Sequence, residues 1–170
     1  MIFIRWSWWP RVRGRGRGLA AHSRHHPGAA PLRWWPERRA THATGGLARP
    51  DGAGLWAYAR RHVPLWLELD RGTETLSRLT AKLTGYQRLV GTELAWPVLF
   101  WLPTRSRETN LHKHLTRISV GYVAATATGE APDAHPAGPV WRLAGDPDTT
   151  RRPLHHIPLT TEDPEPPWHA

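Results

Sequence analysis

The chain has no cysteine, so disulfides and thiolate metal sites are excluded, and secretion gains no support. Only two of its 23 basic residues are lysines, Lys82 and Lys113. No apolar run approaches the roughly 18–20 residues that span a bilayer. The N-terminal aromatics are cut off by Pro10 and a series of arginines, too early for a signal peptide. Gly14-Arg-Gly-Arg-Gly18 neither follows a strand nor opens an apolar helix, so it is not a phosphate-cradling loop. No serine sits in a nucleophile elbow. These absences predict a soluble cytoplasmic protein with no membrane partner.

Charge is distributed unevenly. The net charge of +9 resides in residues 1–49, which hold ten arginines against one acid, Glu37, while residues 50–170 balance. A basic arm can bind DNA by neutralising phosphates. GC-rich coding would yield the same Arg, Gly, Ala, Pro and Trp mixture. We therefore expect residues 1–31 to be a basic disordered leader, 32–145 one α/β domain, and 146–170 a tail rich in proline and acids.

Leu32 to Ala40 reads as a short helix with Pro36 near its first turn. Leu55 to Ala59 and Leu65 to Leu69 read as strands joined by a tight connection at Arg60-Arg61-His62. After Gly72, with Thr73 or Thr75 as cap, Leu76, Leu79, Leu83 and Tyr86 recur at helical spacing. Trp96 to Leu102 is apolar throughout, as in a buried parallel strand. Arg105 to Ile118 reads as a second helix with Leu111, Leu115 and Ile118 inward. Tyr122 to Ala127 and Pro139 to Leu143 read as further strands. The order strand, strand, helix, strand, helix, strand describes a small α/β domain.

Chemistry concentrates around Pro64-Leu-Trp-Leu-Glu-Leu-Asp70. Strand alternation puts Trp66, Glu68 and Asp70 on one face, where two carboxylates are costly unless compensated. Asp51 precedes Glu68 by one strand and a turn, so a hairpin can set it beside that face. Asp51, Glu68 and Asp70 are together the hard oxygen ligands that Mg²⁺ or Mn²⁺ requires, and a bound ion could activate water against a phosphodiester. Lys82 on the next helix could hold a phosphate oxygen or the attacking water. The predicted catalytic set is Asp51, Glu68, Asp70 and Lys82. The predicted metal is Mg²⁺ on the three acids.

Other residues have plainer readings. Glu74 reads as a first-turn helix residue favoured by the dipole. Arg71 faces phosphate or pairs with Glu74. Arg105, Arg107 and Lys113 read as a solvated helix face, with a DNA groove as the alternative. His112 and His114 fall on different sides of a helix, and His25-His26 and His155-His156 lack a third ligand. Tyr86 can sit beside Lys82 on one helix face, and we assign it to the core.

The set Pro50-Asp51, Glu68-Leu-Asp70 and Lys82 resembles a variant PD-(D/E)xK nuclease motif in which the lysine has moved to the following helix. The resemblance implies a small mixed sheet with flanking helices and a restriction-endonuclease-like core. More broadly, Arg33-Trp-Trp, Gly45-Gly-Leu-Ala-Arg-Pro-Asp-Gly52, Leu67-Glu-Leu-Asp-Arg-Gly-Thr-Glu-Thr-Leu76, Leu79 to Tyr86 and Pro97-Val-Leu-Phe-Trp-Leu-Pro103 resemble the replication-relaxation family of actinobacterial plasmid and mobile-element proteins. That resemblance implies DNA, and replication or transfer proteins, as partners. Family members carry a winged helix-turn-helix before this region, where this chain has its arginine-rich leader, so a truncated copy is expected. Three functions follow: a Mg²⁺-dependent nuclease-like protein, a non-catalytic DNA- or protein-binding module in which the same acids are structural, or a remnant lacking its DNA-binding half.

Overall fold

The computed structural model describes residues 29–118, 120–131, 134–146 and 150–159. Residues 1–28 of the expected leader and 160–170 of the expected tail lie outside the described residues. Six strands form one mixed sheet in the order β1 (Ala29–Pro36), β2 (Gly52–Tyr58), β3 (Arg61–Leu69), β4 (Val98–Leu102), β5 (Ala124–Thr128) and β6 (Arg142–Leu143). The first three strands are antiparallel neighbours, β3, β4 and β5 run parallel, and β6 returns antiparallel.

This is the expected small mixed α/β architecture, with one strand more than the sequence suggested. The stretch from Leu32 divides at Pro36: its first half extends β1, and α1 (Glu37–Ala43) begins after it. Proline fits both roles, because its fixed φ suits an edge strand and the cap of a helix whose first N–H groups have no internal partner. β2 and β3 form the expected hairpin through the two residues Ala59 and Arg60.

Parallel neighbours require crossovers, and here these are helical. Between β3 and β4 lie α2 (Leu76–Ala81) and α3 (Leu83–Gln87), and between β4 and β5 lies α4 (Arg105–Arg117). Thr75 caps α2 by accepting from the Arg78 N–H at 3.3 Å, and Thr104 caps α4 in the same way through Arg107. The expected single helix from Leu76 to Tyr86 breaks at Lys82, where Gly85 N–H bonds back three residues to the Lys82 carbonyl.

The two faces of the sheet bury separate cores. On the helical face Trp66, Val98, Phe100 and Ala124 meet Leu79, Leu83, Tyr86, Leu111 and Leu115. Trp66 stacks on Trp96 with ring centroids 4.4 Å apart, and its indole N–H donates to the Leu94 carbonyl. On the other face Trp56, Val63, Leu65, Leu67 and Leu99 are covered by Trp141, Leu154 and Ile157. Residues 150–159, expected to belong to a tail, are therefore part of the domain. Burial of Leu154 and Ile157, together with the Trp141–Arg152 bridge, holds them to the sheet. Their Pro- and His-rich composition hides two apolar anchors that a sheet face can use.

Candidate functional site

Glu68 lies in β3 on the helical face, with none of its surface exposed to solvent. An isolated buried carboxylate would be prohibitively costly, so its oxygens need donors. Lys82 Nζ donates to one oxygen at 2.8 Å and the Tyr86 hydroxyl to the other at 2.6 Å. Both donors come from one helical face, as the four-residue spacing of Lys82 and Tyr86 requires. Asp51 directly precedes β2, whose Gly52 pairs with Leu67, so the hairpin register brings it alongside Glu68. Its Oδ2 accepts from the Leu69 N–H at 2.7 Å and lies 4.0 Å from Lys82 Nζ.

Gly85 makes this convergence possible. A Cβ there would lie 2.5 Å from the Leu47 carbonyl oxygen and 3.1 Å from the Ala48 Cα. Without a side chain at 85, α3 can press against the backbone that leads into Asp51. This close approach fixes the helix bearing Lys82 and Tyr86 relative to the turn bearing Asp51.

Burial pushes the Glu68 carboxyl up to about 7, against the opposing pull of Lys82 and the hydrogen bonds from Lys82 and Tyr86. Burial of Lys82 works against its charge, but attraction to Glu68, reinforced by Asp51, holds the ammonium above its ordinary value. The Tyr86 hydroxyl is driven well upward, by burial first and then by Glu68, and remains a donor. Tyr122 shifts the same way from the same two causes. The result is a permanently charged lysine beside a carboxyl that titrates near neutrality. Asp51 and Lys82, with about 30% and 28% of their side chains exposed, are the members that solvent reaches.

Asp70 has a different environment. Arg107 of α4 pairs with both its oxygens through Nε and Nη2, the latter at 3.0 Å from Oδ1. Gly72 N–H donates to the same Oδ1 at 2.8 Å, and Arg107 also reaches the Glu74 carbonyl. Of the four predicted residues the structure joins Asp51, Glu68 and Lys82, and it turns Asp70 towards Arg107. Among the described residues no group of three or more His, Asp or Glu side chains is arranged to hold a metal ion. As placed, the carboxylates do not form a shell for Mg²⁺: Glu68 is taken up by Lys82 and Tyr86, and Asp70 faces a guanidinium.

Two residues gain roles that the sequence reading did not give them. Tyr86 is in the core as assigned, but its hydroxyl serves Glu68, and its spacing from Lys82 was the available signal. Arg107, assigned to a solvated face, is the partner of Asp70, and nothing in the sequence separates it from exposed Arg105. Arg71 and Glu74 are exposed, and Glu74 contributes its backbone carbonyl. His112 is buried and His114 exposed, as helix geometry predicts. His112 stands near a second polar cluster, where Arg151 binds Glu108 at 2.6 and 2.9 Å and Thr126 donates to Glu108 at 3.1 Å. Burial, with Arg142 and Arg151 nearby, depresses the His112 imidazole.

A family model described as replication-relaxation matches residues 17–100, a span that contains Asp51, Glu68, Lys82 and Tyr86. No curated protein and no solved structure gives a significant match to the chain.

Proposed function

The chain belongs to the replication-relaxation family, and from that premise we propose that it is a DNA-associated protein of plasmid replication and relaxation whose Asp51–Glu68–Lys82 cluster faces a phosphodiester. The observation that carries this reading is the convergence of three elements on a buried carboxylate with one charged, accessible lysine. Lys82 supplies a point charge for a phosphate oxygen, and Asp51 beside it is placed to accept a proton from an incoming water. Glu68 does not reach solvent. It is a positioning residue that fixes Lys82 and keeps it charged. The β2–β3 hairpin followed by a helical crossover to parallel β4 supports a restriction-endonuclease-like core. Partners on this reading are DNA and the proteins of a replication or transfer complex. Among the described residues no helix is long and apolar enough to cross a membrane.

Nicking of supercoiled plasmid, with Mg²⁺, with Mn²⁺ and with chelator, tests the reading. Wild type should nick, and Lys82→Ala and Asp51→Asn should each lose at least tenfold. Lys82→Ala also removes a donor from buried Glu68 and should cost several kcal/mol in urea unfolding, so Asp51→Asn, which keeps an acceptor for the Leu69 N–H, is the variant that separates activity from stability. Wild type that leaves plasmid intact in every condition, or variants that nick like wild type, would refute it.

A second reading, a non-catalytic binding module, is favoured by one observation: all four oxygens of Glu68 and Asp70 already have protein donors. On that reading the acids lock β3 to α3 and α4. The protein would then retain DNA in a salt-dependent manner that Lys82→Ala leaves unchanged.

A further inference from the structure

The far end of the β2–β3 hairpin carries a different chemistry. Its tip exposes Arg60 and Arg61 side by side, and the Tyr58 ring stacks on His155 with centroids 3.9 Å apart and planes 15° from parallel. His156 meets His155 edge-on at 4.4 Å and is itself exposed. Arg61 Nη2 donates to the Ile157 carbonyl at 2.9 Å, which ties the C-terminal segment to the hairpin and fixes the rings beside the arginines.

Among the described residues, this surface contains no compensating acid. Residues 29–36, 52–67 and 150–159 meet here or run to it, and none is Asp or Glu. Seven steps of strand separate Arg61 from Glu68, roughly 23 Å at about 3.3 Å per residue. β1 begins at this end of the hairpin, with Ala29 paired to Tyr58.

We infer that the hairpin tip is a contact surface for single-stranded nucleic acid, with phosphates on Arg60 and Arg61 and a base on the Tyr58–His155 stack. The charge alone would suit any polyanion. The stacked rings decide in favour of nucleic acid, because a base has a π-face to extend the stack and a carboxylate side chain has none. They also decide in favour of a single strand, since paired bases are already stacked on one another. This surface lies at the opposite end of the hairpin from Asp51 and Glu68, and binding there does not depend on hydrolysis at the other end.

Fluorescence anisotropy with the full chain, a labelled oligothymidylate and a duplex of equal length tests the inference, with polyglutamate as competitor. Oligothymidylate affinity should fall linearly with log salt. Arg60→Ala with Arg61→Ala should reduce that slope by about 1.4, at about 0.7 for each phosphate that is no longer neutralised on a single strand. His155→Ala should weaken oligothymidylate binding by about tenfold and leave the duplex unchanged, and His155→Phe should restore it. An unchanged salt slope in the double variant overturns the inference. So does an equal loss for both oligonucleotides in His155→Ala, or displacement by polyglutamate at equal charge.

Discussion

Replacing Glu68 with Gln should reverse part of the protein's pH dependence. The carboxyl has a folded value of about 7 against 4.5 in the unfolded chain. A raised folded value means that the native state holds its proton more tightly. The contribution of Glu68 to stability is therefore fully present below pH 4.5 and is lost as pH rises through 7. The difference of 2.5 pH units corresponds to about 3.4 kcal/mol at 1.36 kcal/mol each. Gln cannot titrate, and it presents Nε2 to Lys82 or Tyr86 where an acceptor stood, a penalty that does not vary with pH. The stability gap between wild type and Glu68→Gln should thus shift by about 3 kcal/mol in favour of the variant between pH 4 and pH 8. Other carboxylates titrate in both proteins and cancel in the difference. Lys82, held above its ordinary value, titrates outside this range. Urea unfolding at half-unit pH intervals measures the gap, and thermal melts should show it as roughly 6–12 °C for a chain of this size. A gap that stays constant, or that moves towards wild type as pH rises, would show that Glu68 is not held in the environment described and would remove the basis for its positioning role.

Tyr86→Phe should destabilise by about 1.5–3 kcal/mol above pH 7, where the lost bond is to a carboxylate, and by less at pH 5, as read by urea unfolding at both values. Gly85→Ala should cost roughly 1–3 kcal/mol, because its Cβ would meet the Leu47 carbonyl at 2.5 Å. An exposed helical glycine would respond with the opposite sign, a gain of roughly 0.5–1 kcal/mol, so calorimetry on this variant distinguishes the two environments. Ala59→Gly should stabilise by up to about 1 kcal/mol. Ala59 sits at φ 51° in the hairpin turn, where a Cβ is strained, and the gain is partly offset by the greater freedom of glycine in the unfolded chain. An unchanged or lower melting temperature would argue against a strained turn.

Local rules determined much of this protein. Alternation in Leu65–Asp70 placed Glu68 on the helix-covered face, apolar continuity marked β4 as buried and parallel, and a threonine before periodic leucines marked the start of α2. The four-residue step from Lys82 to Tyr86 and the hairpin that returns Asp51 to Glu68 are consequences of the same periodicities, so the central cluster could be read from the sequence. What the sequence could not supply was the assignment of partners. Two carboxylates two residues apart look equivalent along a strand, yet Glu68 lies under α3 and Asp70 at the strand end reaches Arg107 on α4. That division depends on where two crossover helices land on the sheet, and on a missing side chain at Gly85 that lets one of them press close. Residues 150–159 illustrate the same limit. Leu154 and Ile157 are unremarkable in a Pro- and His-rich segment, and only a sheet face left bare by the helices gives them something to bury. Periodicity fixes which way a side chain points, whereas tertiary packing decides what it meets there and hence whether an acid is a ligand, a base or a brace.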